Sequence, residues 1–194
     1  MNILYLGPKC DTIQRALVGS GHAIWQTEER ISAEFFRKGN FDFAVSYRYR
    51  KIITKDVINE CKSRLVNLHI SFLPWNKGSD PNLWSWLENT PKGVTIHQID
   101  EGLDTGAILL QERVVFDTEK ETLRTSYEKL SNAIESLFIN NMTSLFTDSI
   151  RPRPQQGKGT FHFSKDKERY IYLYQKLGWD TPVRTLIGKA EIKP

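Results

Sequence analysis

The alternation of short apolar runs with helical patterns over the first seventy residues constrains the fold most. Because strands that alternate with helices pair in parallel and are covered by those helices on both faces, the pattern predicts an α/β domain. In such sheets ligands bind at the carboxyl ends of the strands. The predicted strands are Asn2–Leu6, Ala23–Gln26, Phe41–Ser46 and Leu65–Ile70, and the predicted helices are Asp11–Val18, Ser32–Lys38 and Asp56–Lys62.

Two further strand-like runs and one long helix follow. Val94–Gln98 and Ile108–Val115 flank a glycine-rich turn at Glu101–Gly106. Thr118 and Glu121 have the spacing of a capping box, so a long helix that ends near Phe146 is predicted to begin there. Its apolar residues recur at helical spacing, which is typical of core packing.

The composition changes after Ile150. Residues 151–159 are rich in Pro, Gly and polar side chains, which is typical of a linker. From Arg151 onward the chain has ten Lys and Arg residues against four Asp and Glu residues, and a helix is predicted at Tyr170–Leu177, with Gly178 at its C-cap. We therefore predict a catalytic domain at 1–150 and a basic extension at 151–194.

The remaining composition excludes several classes of protein. Cys10 and Cys61 are too few for a disulfide framework and have no companion metal ligands, so both are expected as free thiols in a reducing compartment. No apolar stretch approaches the roughly 20 residues that a membrane helix needs. The N-terminal run lacks the basic segment of a signal peptide. A cytoplasmic protein is expected.

Polar side chains appear abruptly at the end of the fourth predicted strand. Strand alternation directs Asn67, His69 and Ser71 to the same side. Asp104 lies in the glycine-rich turn, where the backbone is able to approach a ligand closely. An aspartate beside His69 would fix its tautomer and stabilise its protonated form, and Asn67 could donate to a developing oxyanion.

The order of these motifs resembles the folate-dependent formyltransferase family, over a block from about Phe41 to Val115. The resemblance implies a Rossmann-like fold, with a mostly parallel twisted sheet and helices on both faces. The residues that carry it are Asn67-x-His69-x-Ser71-x-Leu73-Pro74, Gly93-Val94-Thr95-x-His97 and Asp100-x-Gly102-x-Asp104-x-Gly106.

The resemblance also implies the reaction and its cosubstrate. The family catalyses attack of an amine on the formyl carbon of N10-formyltetrahydrofolate. Asn67 would hydrogen-bond the formyl oxygen, His69 would stabilise the oxyanion or carry the proton, and Asp104 would orient His69. No metal is needed for this chemistry. The folate pocket is expected to involve Tyr49, Arg50, Ile52, His97, Asp100 and Gly102, with His97 as a packing or shaping residue.

Three kinds of amine are known in the family, and the flanking sequence bears on the choice. Enzymes for glycinamide ribonucleotide carry a Gly-Ser-Asn phosphate cradle after the first strand, whereas Pro8 removes an amide donor here. Enzymes for methionyl-tRNA carry a sizeable C-terminal domain, and the residues after Gly159 are too few to build one. The amino-sugar branch remains.

Two segments resemble that branch: Leu73–Trp86 and Gly157–His162. The first implies that Trp75, Asn76, Lys77 and Gly78 bind the acceptor, with Trp75 and Asn76 against a sugar ring and Lys77 at a phosphate. Trp84 and Trp86 are interpreted as cover for the sheet. The carrier nucleotide is left open.

Two rival functions use a similar pocket. A formyltetrahydrofolate hydrolase would use water as its nucleophile, but such enzymes have an added N-terminal regulatory domain. A non-catalytic folate or nucleotide-binding module would have no reason to combine Asn67, His69 and Asp104. The expected partner is a small-molecule amine, neither nucleic acid nor membrane is expected, and a homodimer is left open.

Overall fold

The computed structural model of the protein describes residues 1–192. Lys193 and Pro194, the last two residues of the predicted basic extension, lie outside them. The strands are β1 Asn2–Leu6, β2 Ala23–Thr27, β3 Phe43–Tyr47, β4 Leu65–His69, β5 Lys77–Gly78, β6 Gly93–Gln98, β7 Ile108–Arg113 and β8 Phe161–His162. The helices are α1 Asp11–Gly19, α2 Ala33–Lys38, α3 Lys55–Cys61, α4 Pro81–Leu87, α5 Leu123–Phe146 and α6 Ile171–Tyr174.

Six of the strands form one sheet in the order β2-β1-β3-β4-β6-β7. The ladders from β1 to β2, from β1 to β3 and from β3 to β4 are all parallel. Ile3, Leu4, Tyr5 and Leu6 of β1 have no exposed surface, as expected for a strand that is covered on both faces. The predicted α/β class, with a mostly parallel sheet between helices, is confirmed.

The chain divides into two compact units. The first consists of Met1–His69, Ile96–Leu110 and Glu135–Pro154, and the second of Ile70–Thr95, Gln111–Ile134 and Gln155–Pro194. In the first unit, Leu4, Leu6, Phe36, Val57 and Leu65 belong to a core in which α2 and α3 cover the sheet. In the second unit, α4 and the start of α5 share a core with C-terminal residues such as Val183 and Leu186.

Two local predictions are wrong. The long helix begins at Leu123 rather than after Thr118, because Thr122 caps it: the Thr122 hydroxyl accepts the Thr125 N–H at 3.2 Å. The predicted helix Tyr170–Leu177 is reduced to the single turn of α6 at Ile171–Tyr174, which follows a 3-10 helix over Ser164–Tyr170.

Three elements were not predicted. Helix α4 follows Asp80, whose positive φ of 55° ends the preceding loop, and Pro81 occupies the first helical turn, where a missing N–H costs nothing. The short strands β5 and β8 pair in parallel. Among residues 1–192, no helix is long and apolar enough to cross a membrane.

Candidate active site

Strand β4 presents two of the predicted catalytic side chains on one face. Asn67 pairs in register with Ser46 of β3, and His69 is the last residue of the strand. His69 is buried and Asn67 is partly buried. The strand therefore holds both side chains at its carboxyl end, within the first unit.

The glycine-rich turn brings Asp104 to the same place. The Asp100 carboxylate accepts the Gly102 N–H at 3.1 Å and the Thr105 hydroxyl at 2.6 Å, which folds the turn on itself. A Cβ atom on Gly106 would lie 1.8 Å from the Gln98 carbonyl oxygen, so only glycine permits this close approach. Asp104 has a φ of 56°, a left-handed conformation that aspartate tolerates.

Asp104 lies close to both β4 side chains. The Asn67 amide nitrogen donates to Oδ1 of Asp104 at 3.1 Å. The Nε2 atom of His69 is 3.8 Å from Oδ2 of Asp104. This distance is too long for a direct hydrogen bond but short enough for electrostatic attraction. The side chains of His69 and Asp104 are each 9% exposed, so water screens this attraction weakly.

His97 completes the cluster. Its Nδ1 atom is 2.8 Å from the Gln98 carbonyl oxygen, which only accepts, so Nδ1 carries the proton. In the neutral ring Nε2 is then an acceptor, and it lies 3.2 Å from the Asn67 amide nitrogen and 3.4 Å from Oδ1 of Asp104. These contacts fix the amide nitrogen of Asn67, rather than its oxygen, toward His97 and Asp104. Sequence reasoning placed His97 near the folate and missed this contact set.

This cluster has the groups that acyl transfer from an activated donor needs. An amide donor, an imidazole and a buried carboxylate meet where partial desolvation strengthens each electrostatic interaction. Within the part of the chain that the structure describes, no group of His, Cys, Asp and Glu has the arrangement of a metal site.

Three of the residues predicted for the folate pocket, Tyr49, Arg50 and Ile52, lie in the segment after β3. Of the other three, His97 lies on β6, and Asp100 and Gly102 lie in the glycine-rich turn. The Tyr49 hydroxyl donates to the Glu29 carbonyl oxygen at 2.5 Å, and burial raises the pKa of Tyr49. Ile52 is 78% exposed and Arg50 is exposed. The exposed apolar surface of Ile52 is available to a ligand.

A polar cluster that includes the buried Tyr47 and Glu135 anchors this segment from α5. The Tyr47 hydroxyl donates to Oε1 of Glu135 at 3.1 Å, and Nη2 of Arg48 donates to the Tyr47 hydroxyl at 2.7 Å and lies 3.7 Å from Glu135. A Cβ atom on Gly7 would lie 1.9 Å from the Tyr47 carbonyl oxygen, so β1 also approaches closely. The sequence signal for Glu135 is an acidic residue within the apolar helical stripe of α5.

The predicted acceptor-binding segment lies in the second unit. Lys77 pairs with Phe161 and Gly78 with His162 in the β5–β8 ladder, which joins the two segments that resemble the amino-sugar branch. Lys77 is partly buried, and its Nζ atom donates to the Lys158 carbonyl oxygen at 3.3 Å. Trp75 is also partly buried.

Asn76 has a structural role in this segment. It has no exposed surface, its amide nitrogen donates to Glu88 at 3.2 Å, and its amide oxygen accepts the Thr90 hydroxyl at 2.7 Å. Its backbone N–H donates to the Thr160 hydroxyl at 2.9 Å. The predicted contact of Asn76 with a sugar stays a prediction, and these bonds give it a different role.

The second unit also contains a cavity of about 240 Å³. Neither Trp75, Lys77 nor Gly78 lines it. The lining residues are mainly apolar and aromatic, with one ion pair: Ile70, Asp80, Pro81, Asn82, Leu83, Leu123, Tyr127, Lys167, Tyr174, Gly178 and Trp179.

Comparisons with known proteins identify the family of this chain. The family model described as formyl transferase matches residues 22–142. The crystal structure of the formyltransferase PseJ from Anoxybacillus kamchatkensis, in complex with UDP-4,6-dideoxy-4-formamido-L-AltNAc and tetrahydrofolate, is 48% identical. It superposes with a TM-score of 0.93, over 98% of this chain and 100% of PseJ.

More distant relatives share the fold. A sugar N-formyltransferase from Shewanella is 19% identical and has a TM-score of 0.74, over 87% of this chain and 79% of that one. A methionyl-tRNA formyltransferase from Thermodesulfovibrio yellowstonii is 32% identical over 180 residues, which cover 91% of this chain and 56% of the relative. The chain thus spans about half the length of the curated relatives that it matches.

Proposed function

This chain belongs to the formyl transferase family, and from that premise we propose that it transfers a formyl group from N10-formyltetrahydrofolate to a primary amine on a nucleotide-linked amino deoxy sugar. The observation that carries the proposal is the meeting of Asn67, His69 and Asp104 at the carboxyl end of β4. PseJ, which is 48% identical over its whole length, was crystallised with a UDP-linked formamido sugar and tetrahydrofolate.

In the proposed reaction the amine nitrogen attacks the formyl carbon. A bond forms between these two atoms, the bond from the formyl carbon to N10 of the folate breaks, and one proton passes from the amine to N10. An N–H of Asn67 stabilises the negative charge that develops on the formyl oxygen. His69 carries the proton, and Asp104 stabilises the imidazolium.

Asn67 has two N–H groups for this role. In the absence of substrate its amide nitrogen contacts Asp104 and His97. A bound formyl oxygen would take over one N–H while the other stays with the cluster. The donor is then held in place before the reaction rather than ordered during it, which lowers the barrier.

The proposed folate site comprises Tyr49, Arg50, Ile52, His97, Asp100 and Gly102. The exposed apolar surface of Ile52 supports a stacking or packing contact with a flat ring. We assign catalysis to residues 1–150. The basic extension, together with Trp75, Lys77 and Gly78, contributes to acceptor binding, and Asn76 holds their loop.

The carrier of the sugar is proposed to be UDP, and the reacting amine to be at C4 of the ring, because those are the features of the sugar in the PseJ complex. Methionyl-tRNA is the second candidate acceptor, because the relative from Thermodesulfovibrio yellowstonii is 32% identical. Methionyl-tRNA is the weaker candidate, because this relative has a lower identity than PseJ and only 56% of its length is matched. A cytoplasmic location stays a prediction.

The release of tetrahydrofolate from N10-formyltetrahydrofolate tests the proposal. We expect release only when a UDP-linked 4-amino-4,6-dideoxy sugar is added, with a product whose mass increases by one formyl group. Release without any amine would indicate a hydrolase. Formylation of methionyl-tRNA, without a product from the amino sugar, would overturn the acceptor assignment.

A further inference from the structure

The β5–β8 ladder of the second unit is too short to be stable by itself. Each of its strands has two residues. The Lys77 N–H donates to the Thr160 carbonyl oxygen, and the Ser79 N–H donates to the His162 carbonyl oxygen, both at 2.9 Å. An isolated pair of strands is marginally stable in water, and packing against a helix is one way to stabilise it. The ladder therefore needs support from elsewhere in the second unit.

The side chain of His162 joins this ladder to helix α4. His162 and Trp84 are both buried, and their rings are nearly parallel, with an interplanar angle of 5° and centroids 3.7 Å apart. Tyr170 packs edge to face on Trp84, with a centroid distance of 5.6 Å. Stacked rings bury apolar surface and have a preferred mutual orientation. The stack therefore fixes β8 against α4.

Glu88, at the C-cap of α4, links the same ring to the loop before β5. Its Oε2 atom lies 3.2 Å from Nε2 of His162 and accepts the Asn76 amide N–H at 3.2 Å. Within residues 1–192, Nε2 of His162 makes no hydrogen bond, so its contact with Glu88 is electrostatic. Because no hydrogen bond of Nε2 orients the ring, its orientation depends on the stack with Trp84.

Lys77 lies between residues that are fixed on both sides. Asn76 precedes it and is bonded to Glu88. Gly78 follows it with a φ of 86°, and a Cβ atom there would lie 2.3 Å from the His162 carbonyl oxygen. The backbone of His162 is thus packed directly against the residue after Lys77, so a displacement of β8 would also displace Lys77.

We propose that His162 is a positioning residue for acceptor binding, because its stack on Trp84 holds the β5–β8 ladder in the conformation from which Lys77 contacts the acceptor; this rests on the proposed function. A loop that is already ordered loses less conformational freedom when its ligand binds. Loss of the stack should therefore weaken binding of the acceptor. The reaction step should change little, since His162 does not contact the reacting atoms in this role.

Two variants of His162 and one control test the stack. His162→Ala removes the ring, and His162→Phe keeps an aromatic ring against Trp84. His22→Ala, at a partly buried histidine of the first unit, is the control. Thermal unfolding checks that each variant is folded. If His162→Ala does not fold, His162→Leu, which keeps apolar volume without a flat ring, takes its place.

Steady-state kinetics with a UDP-linked 4-amino-4,6-dideoxy sugar gives the first readout. We expect His162→Ala to raise KM about tenfold, with kcat within about threefold of the wild-type value. KM of His162→Phe should be at least about threefold below that of His162→Ala, because the stack is retained. His22→Ala should behave as wild type.

A double-mutant cycle distinguishes positioning of Lys77 from a general structural role. Because His162 acts through Lys77, His162→Ala should raise KM by less than about twofold when Lys77→Ala is already present. Hydrogen exchange followed by NMR gives a further readout. The Lys77 and Ser79 amides should exchange about tenfold or more faster in His162→Ala. The Gly7 amide, which is bonded to Thr27 in the first unit, should not change.

Three outcomes would overturn the inference in a wild-type protein that formylates the amino sugar. These are an unchanged KM in folded His162→Ala, an equal KM in His162→Ala and His162→Phe, and an effect of His162→Ala that is as large with Lys77→Ala as without it. Failure of the wild-type protein to release tetrahydrofolate with the amino sugar would instead contradict the proposed function, and the inference with it. The two failures are therefore distinguishable.

Discussion

The amide nitrogen of Asn67 lies 3.1 Å from Oδ1 of Asp104. The same carboxylate lies 3.4 Å from His97 and 3.8 Å from His69, so a single acidic side chain lies within 4 Å of every other polar member of the cluster. Removal of that carboxylate would take away one of the two acceptors of the Asn67 amide and the negative charge beside His69. The cluster should therefore respond to mutation as one unit.

His69→Ala and Asp104→Ala should each lower kcat about 100-fold or more, because each removes a group that acts in the transition state. The double variant should be little slower than the slower single variant, because residues that act as a unit give non-additive losses. Stopped-flow measurement of tetrahydrofolate release checks both. Asp117→Ala, at an exposed aspartate, is the control. Fully additive losses would show that Asp104 does not act through His69.

The polar cluster of Tyr47, Arg48 and Glu135 should set the affinity for folate. At about 100 times its Kd, a reduced folate should stabilise the wild-type protein by about 2.7 kcal/mol, which a thermal shift detects. Glu135→Ala removes the acceptor of the Tyr47 hydroxyl and the ion-pair partner of Arg48, and we expect folate affinity to fall about tenfold.

Glu128→Ala provides the control for this comparison, because Glu128 is an exposed acidic residue of the same helix α5. Its folate affinity should equal that of the wild-type protein. An unchanged folate Kd in a folded Glu135→Ala variant would mean that this polar cluster only supports the fold. The absence of any thermal shift with 5-formyl or 10-formyl folates at millimolar concentration would contradict the donor assignment itself.

The sequence predicted β1, α1 and β4 nearly to the residue because the apolar period of each is local and strong. The predicted start of α5 was wrong, because Thr118 and Thr122 both have a hydroxyl that is able to cap a helix, and only the surrounding structure selects Thr122. Helix α4 was missed, since the left-handed conformation of Asp80 that precedes it leaves little trace in the sequence.

The candidate site could be anticipated only in part. The positions of Asn67 and His69 follow from strand alternation, which is a local rule. The bonds of His97 to Asn67, and those of Glu135 to Tyr47, join residues 30 and 88 positions apart, and no local pattern specifies such contacts. Asparagine is usually exposed, so the complete burial of Asn76 was not predictable from residue type either.

Two neighbouring residues, Asn76 and Lys77, should give opposite results on substitution. Asn76→Ala removes the buried hydrogen bonds that Asn76 makes with Glu88 and Thr90, so we expect a loss of about 2–4 kcal/mol and a Tm lower by roughly 5–15 °C. Lys77→Ala should leave Tm within about 2 °C and raise KM for the nucleotide-linked acceptor more than it lowers kcat. Calorimetry and steady-state kinetics check the pair. An unchanged Tm in Asn76→Ala would refute the structural role of that residue.

Lys92 should make stability depend on pH in the alkaline range. Burial lowers the pKa of Lys92 from 10.5 to about 8, although its Nζ atom donates to the Thr90 carbonyl oxygen at 3.0 Å and lies 4.4 Å from the Trp86 ring centroid. Between these two pKa values the unfolded chain binds more protons than the folded protein. The contribution of Lys92 to the free energy of unfolding therefore rises with pH from about 8 to about 10.5 and is constant below about 8.

Substitution of Lys92 by methionine removes this titration while it keeps most of the side-chain volume. At pH 7 the charged lysine is penalised in the folded state, so Lys92→Met should be more stable than wild type by about 1–3 kcal/mol. The difference should shrink as pH rises toward 10, because the wild-type lysine then becomes neutral in both states. Urea unfolding of both proteins at pH 7, 8, 9 and 10 measures it, with Lys165→Met as the exposed control. A difference that is independent of pH would show that the ammonium is not desolvated in the folded protein.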